Sequence, residues 1–241
     1  MRMFGESLGD AEAETEAKTD GATGSVKYYP LCLDISGKRC VVVGGGNVAE
    51  RKVRRLLACS AHVEVVAKTL TPDLAVWKRE DKILHREGEY TDSCLAGAAL
   101  VIGATDSETV NGRIAQDARA RGIPVNVVDD PARCDFILPS VVERGGLLIA
   151  VSTGGKSPAL ARKLREELEE AYGPEYAVLI EILGKLREEV IAAGGSSADN
   201  RECFAAVVRS DILDHIRRKE WMKVREMIRS LTGVEMEVEP R

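Results

Sequence analysis

Three groups of residues in this chain have the types and spacing to do chemistry. The first is Gly44-Gly45-Gly46-Asn47-Val48-Ala49, which follows the apolar run Cys40-Val41-Val42-Val43 and precedes a helical pattern. Gly44, Gly46 and Ala49 fit G-x-G-x-x-G/A. The first glycine allows a tight turn out of a strand, the second lets backbone approach a pyrophosphate, and the small third residue lets helix and strand pack closely. A helix start placed there offers free N–H groups and a partial positive charge to phosphates. The second group is Asp129-Asp130-Pro131, after the apolar "IPVNVV". A carboxylate at a strand exit beside a dinucleotide could take a proton as general base or orient a substrate; the same three residues also suit a plain turn. The third is "STGGKS", Ser152 to Ser157, just before Pro158. Its glycines, Lys156 and the following helix start suit an anion, although a plain hairpin-to-helix connection fits too. It is not a Walker A loop, because that motif needs glycine where Ala150 stands.

These groups need elements to hold them. "RCVVVGG" reads as a strand buried on both faces, and "NVAERKVRRLLACS" as a helix with Val48, Val53, Leu56 and Leu57 on one side. "HVEVVA", the weaker "KILHRE", "ALVIGAT" and "IPVNVVDD" read as further strands, with the helix "SETVNGRIAQDARARG" between the last two. Such alternation implies a parallel sheet with right-handed crossovers, a Rossmann-like α/β fold. Thr105 and Asp106, in "GATD", close one of these strands on the carboxyl edge, where ligands of open α/β sheets sit. An acid for the ribose is expected at the end of the second strand, about 20 residues past the glycines. Ala67-Lys68-Thr69 stands there instead, and Glu64 lies inside the strand, read as a solvated or edge residue. Lys68 could favour a 2′-phosphate, or backbone could hold the ribose, so these residues leave NAD and NADP open. Arg51 and Lys52 are read as solvated or subunit-facing.

Beyond residue 134 the rhythm changes. "FILPSVVERGGLLIAV" predicts a β-hairpin and "SPALARKLREELEEAYG" a helix with Ser157 at the N-cap and Pro158 at N1. Residues 174–241 read as helical. One stripe is Leu179, Ile182, Leu183, Leu186 and Val190; a second runs from Phe204 through Val207, Val208 and Ile212 to Ile216; a third is Trp221, Val224, Ile228 and Leu231. Residues 1–26, rich in Glu, Ala, Gly and Thr, predict a disordered tail, with a short frayed helix over Asp10–Lys18 as the alternative. The expected organisation is a tail (1–26), a dinucleotide domain (27–134), a dimerisation and active-site segment (135–173) and a small all-helical domain (174–241).

Composition narrows the function. With 44% hydrophobic and 30% charged residues among 241, this is an ordinary globular chain. A net charge of −5 argues against nucleic-acid binding through a basic stripe. Six cysteines without a C-x-x-C pair read as reduced packing residues. No apolar run approaches the ~20 residues of a membrane span and no secretory pattern is present, so a cytoplasmic location is expected. His62, His85 and His215 are isolated and read as structural, and no ligand spacing suggests a metal site.

"VVGGGNVAERK", "GATD", "NVVDDP", "FILPS" and "VSTGGKSPALARKLREELE" together resemble the precorrin-2 dehydrogenase family, found alone or as the N-terminal module of sirohaem synthases. The resemblance covers residues 28 to 172; the helical remainder is similar in character only. It implies a homodimer that oxidises precorrin-2, a tetrapyrrole, to sirohydrochlorin with NAD, and in some members inserts Fe²⁺. By its motifs Asn47, Val48, Lys68 and Thr69 match cofactor contacts, and Asn126 to Asp129 match the stretch carrying the key aspartate. Thr153 replaces a family serine, keeping the hydroxyl. Asp129 is then the expected catalytic residue. Asn126, Thr153, Gly154, Lys156 and Ser157 are expected at the substrate, with Thr105 and Asp106 at the cofactor. The competing reading is a non-catalytic module that senses NAD(H) and reports through its helices.

Overall fold

The computed structural model describes residues 27–192, 194 and 197–238; the expected tail and its alternative helix lie outside them. Five parallel strands form the first sheet: β1 (Arg39–Val43), β2 (His62–Ala67), β3 (Ile83–Glu87), β4 (Leu100–Gly103) and β5 (Val125–Val127), in the order β3-β2-β1-β4-β5. Helices α1 (Asn47–Ala58), α2 (Pro72–Arg79) and α3 (Glu108–Ala120) provide the crossovers. The alternation of β1 explains its continuous apolar sequence. Cys40 and Val42 pack in one core with Val53 and Leu56 of α1 and Leu74 of α2. Val41 and Val43 pack in the other with Ile114, Ala115 and Ala118 of α3. From Cys40 to Val43 neither face of β1 meets water, which is why this run is apolar throughout.

Three local readings change. "KILHRE" is a full edge strand, and α2, which precedes it, was not read from the sequence; Thr71 caps it, accepting from Leu74 N–H at 3.4 Å, and Pro72 starts it. Glu64 is neither solvated nor at an edge. β2 lies inside the sheet, and Glu64 is only 6% exposed. Two arginines make that burial tolerable: Arg39 from β1 (2.7 Å) and Arg86 from β3 (2.8 Å), one on each oxygen. Burial opposes the charge of Glu64, but these arginines outweigh it and hold its carboxyl below the usual range.

The hairpin is β6 (Ser140–Arg144) and β7 (Leu147–Val151), joined by Gly145-Gly146 alone. α4 (Pro158–Ala171) follows, then α5 (Glu175–Ala192), α6 (Ser197–Arg209), α7 (Ile212–Arg217) and α8 (Trp221–Thr232). The stripe from Phe204 to Ile216 is divided between α6 and α7; Ser210 breaks it, its hydroxyl bonding back to the Val207 carbonyl at 2.7 Å. Val207, Ile212 and Ile216 join Leu186, Val224 and Ile228 in one helical core, while Val208 stays exposed.

Candidate active site

The order β3-β2-β1-β4-β5 reverses direction on either side of β1, which opens a crevice at the carboxyl edge between β1 and β4. The three glycines fill the mouth of that crevice with backbone. Gly44 has φ +124°, and a Cβ there would strike the Ala104 carbonyl at the exit of β4. A Cβ on Gly45 would strike the Thr69 carbonyl beyond β2, so Gly45, which the spacing motif leaves unassigned, wedges the turn against the neighbouring strand. Gly46 differs. A Cβ there would meet nothing within 4 Å, and its backbone is extended. Internal packing therefore gives no reason for glycine at 46, whereas a ligand lying on the turn does.

Gly46 is also the N-cap of α1, and it offers no side-chain acceptor. The first backbone bond into the helix is Glu50 N–H to the Gly46 carbonyl. Asn47 and Val48 thus open α1 with no side chain capping their N–H groups. The residues present fit a pyrophosphate: open space, free donors and a helix dipole.

Around this turn the expected cofactor residues gather. Lys68 and Thr69 follow β2, and Thr105 and Asp106 follow β4, all on the same edge. A residue missed in the sequence fixes the Thr105 loop: buried Asn111 of α3 donates to the Thr105 carbonyl at 2.9 Å and shares a second 2.9 Å bond with its hydroxyl. An amide inside an otherwise apolar helix stripe was the signal available for it. Lys68 is not a free cation, since Glu89 pairs with it at 2.8 Å.

The exit of β5 separates the two aspartates. Asp130 caps a single 3-10 turn over Pro131–Arg133, accepting from Arg133 N–H, and pairs with the Arg133 guanidinium at 2.5 Å. Asp129 is exposed, holds φ +60°, and has no hydrogen bond or ion pair to its carboxylate among the described residues. A left-handed backbone is sparse outside glycine, though aspartate tolerates it, and here it turns an unpaired carboxylate outward.

One expectation is corrected at this exit. Asn126 is buried, and its amide donates to the Phe136 carbonyl at 2.9 Å and lies 3.4 Å from Cys134 Sγ. Cys134 in turn bonds both ends of the turn, accepting from Val127 N–H and donating to the Asp130 carbonyl. Asn126 therefore braces the loop that carries Asp129 instead of opening toward a substrate. Lys52 is half-buried, unlike the exposed Arg51. Burial and the neighbouring Arg55 and Arg51 push its ammonium toward neutrality, while Asp129 and Cys134 pull the other way, which places it in the field of Asp129.

The 153–157 loop is more self-contained than its sequence suggests. The Thr153 hydroxyl accepts from Ser157 N–H and donates to the Ser157 carbonyl, both at 3.0 Å. Ser157 Oγ caps α4 by accepting from Leu160 N–H at 3.2 Å. Gly154 and Lys156 are exposed. Among the described residues, the hydrogen bonds of this loop stay within residues 152–161, and none ties it to the first sheet. The hairpin segment approaches that sheet through Arg55, which donates to the Pro139 carbonyl at 3.4 Å, and through Phe136 against the core under α1.

Comparison with known proteins agrees with this geometry. Residues 31–140 match a family described as "Putative NAD(P)-binding", and residues 144–171 one described as "Sirohaem biosynthesis protein central". Together these two matches take in most of residues 31–171, the dinucleotide sheet and the hairpin with its following helix. It is 41% identical over 195 residues to the siroheme synthase of Nitrosospira multiformis and 37% identical over 191 to that of Vesicomyosocius okutanii. These alignments take in 79% and 78% of this chain but 41% of each relative, so the chain spans about two fifths of the length of the curated relatives it matches. A solved structure titled "SirC, precorrin-2 dehydrogenase" shares the fold, with a TM-score of 0.70 at 23% identity over 86% of this chain and all of that one. Among the described residues no helix is long and apolar enough to cross a membrane.

Proposed function

We propose that this chain oxidises precorrin-2 to sirohydrochlorin with NAD⁺, as a cytoplasmic homodimer. One juxtaposition supports the reading. An uncapped helix start lined by glycine and the unpaired carboxylate of Asp129 leave the same sheet edge, on the strands flanking β4. Bound NAD⁺ would supply the hydride acceptor that no side chain can provide. The N–H groups of Asn47 and Val48 hold the pyrophosphate, Lys68 and Thr69 border the adenosine end, and Thr105 and Asp106 border the β4 side. Substrate oxidation releases a hydride and a proton, and Asp129 takes the proton. Gly154 and Lys156 meet acid groups of the tetrapyrrole, with Thr153 and Ser157 shaping their loop. Leu148 on β7 and Leu160 and Leu164 on α4 are exposed and supply an apolar face for the second subunit.

Precorrin-2 and NAD⁺ supplied anaerobically, with sirohydrochlorin followed by absorbance, test the reading. Product formation that depends on NAD⁺ is expected. Dinucleotide binding without product would leave the sensing module as the better account. Fe²⁺ insertion rests on the family resemblance alone. Adding Fe²⁺ to sirohydrochlorin tests it separately, and a rate equal to the protein-free control removes it.

A further inference from the structure

In dinucleotide folds of this kind, the strand beside the phosphate turn normally ends in an acid that receives the ribose hydroxyls; a basic group there receives a 2′-phosphate instead. β2 ends in Ala67, followed by Lys68 and Thr69, with no acid of its own. Its neighbour supplies one. β3 runs parallel to β2 with Glu87 opposite Ala67, and Gly88 N–H donates to the Ala67 carbonyl at 3.2 Å. Gly88 holds φ +131°, open to glycine and sparse for other residues. The next residue, Glu89, reaches back across the strand tip, its Oε1 at 2.8 Å from Lys68 Nζ. The tip itself is held by His85, whose Nε2 also bonds the Ala67 carbonyl at 2.9 Å while Nδ1 receives Lys78.

The pair holds no structure together. Its side chains are 69% and 78% exposed, and a bridge so open to solvent adds little to stability. Electrostatically it does two things: it pairs the cation that directly follows β2, and it sets a carboxylate at the edge where the adenosine ribose of a bound dinucleotide would arrive. Lys68 keeps that carboxyl below its ordinary range, so it is ionised at neutral pH.

We propose that Glu89 selects the unphosphorylated dinucleotide, accepting hydrogen bonds from the ribose hydroxyls and repelling a 2′-phosphate. This rests on the dinucleotide site of the proposed function and assigns its discrimination to a residue outside the glycine motif and outside β2. Lys68, read alone, points the other way; only its partner reverses the sign.

The test is direct binding of NADH and NADPH to the full chain, followed by nicotinamide fluorescence, with no tetrapyrrole present. The unaltered chain binds NADH more tightly. Glu89→Gln lowers the NADH-over-NADPH affinity ratio about tenfold, and Glu89→Lys lowers it further. Both changes shrink as salt rises from about 0.05 to 0.5 M, because a charge effect at an exposed site is screened. A ratio unchanged within twofold in both variants overturns the assignment, as does a change indifferent to salt or an unaltered chain that prefers NADPH. An unaltered chain that binds neither dinucleotide removes the site itself, and the selection falls with it. Both variants lie at an exposed position and should melt with the parent chain, so a lost ratio reads as lost selection.

Discussion

Two helices in this molecule begin just after glycine-containing turns, and they treat their first N–H groups differently. At α4, Ser157 caps the helix and Thr153 bonds both the N–H and the carbonyl of Ser157. At α1, Gly46 provides no cap, and the space beside it is open. A cap of the Ser157 kind is worth about 1 kcal/mol, and α1 does without it. A helix end completed by its own chain stands ready in the free protein. One left incomplete, at the switch point of a parallel sheet, gains its missing acceptors when a phosphate arrives. The capped end is a joint in the architecture, and the uncapped end is where binding is expected.

The comparison can be broken in several ways. The largest effect concerns the carboxylate that shares the edge with α1. Asp129→Ala should lower the rate of precorrin-2 oxidation by about 10³-fold, in the range of a lost general base, with NADH affinity within about twofold of the parent. Equal loss of both would make Asp129 part of the scaffold instead. Gly46→Ser gives α1 the cap it lacks. Its melting temperature should stay level or rise slightly, since serine exceeds glycine at this position by only a few tenths of a kcal/mol. NADH binding should weaken by about tenfold or more as the side chain enters the open space; unchanged binding would sink the contrast between the two ends. Gly45→Ala should act oppositely, losing about 1–3 kcal/mol of stability through the clash with Thr69.

Glu64→Gln tests the frame that aligns β1, β2 and β3, and should cost about 2 kcal/mol at pH 7. The carboxyl of Glu64 is held below its unfolded value, so its stabilisation is complete above about pH 4.5 and is lost as pH falls through the lower folded value. The difference in melting temperature between parent and variant should therefore shrink below about pH 4. A constant gap from pH 7 to pH 3 would contradict the ion-pair account. The smallest effect belongs to Ser157→Ala: about 1 kcal/mol of stability and no change in NADH affinity, read by denaturant unfolding and fluorescence titration.

Much of this site was legible beforehand, residue by residue. Gly44 and Gly46 stood between an apolar run and a helical stripe, and that context gave the turn a direction and a ligand class. Ser157-Pro158 announced the start of α4, because capping chemistry is local. Asp129 could be proposed beside Asp130, yet nothing in the sequence separated them: the distinction depends on Arg133 taking one carboxylate and a left-handed backbone turning the other outward. Asn126 looked equally available until Phe136 and Cys134 were seen to occupy its amide.

The amino-acid order by itself determined where β1, α1, α3 and α4 fall, which of their faces are apolar and which turn can receive a phosphate, though it left α2 unread and the break between α6 and α7 unmarked. Those properties arise from neighbours within a few residues, through periodicity, caps and backbone freedom. Only the tertiary structure decided the partners: Arg39 and Arg86 for Glu64, Glu89 for Lys68, Asn111 for Thr105, and the field of Asp129 on Lys52. Each of these joins residues 6 to 77 positions apart. The strength and sign of an electrostatic contact depend on distance and burial in space, and no local pattern encodes either.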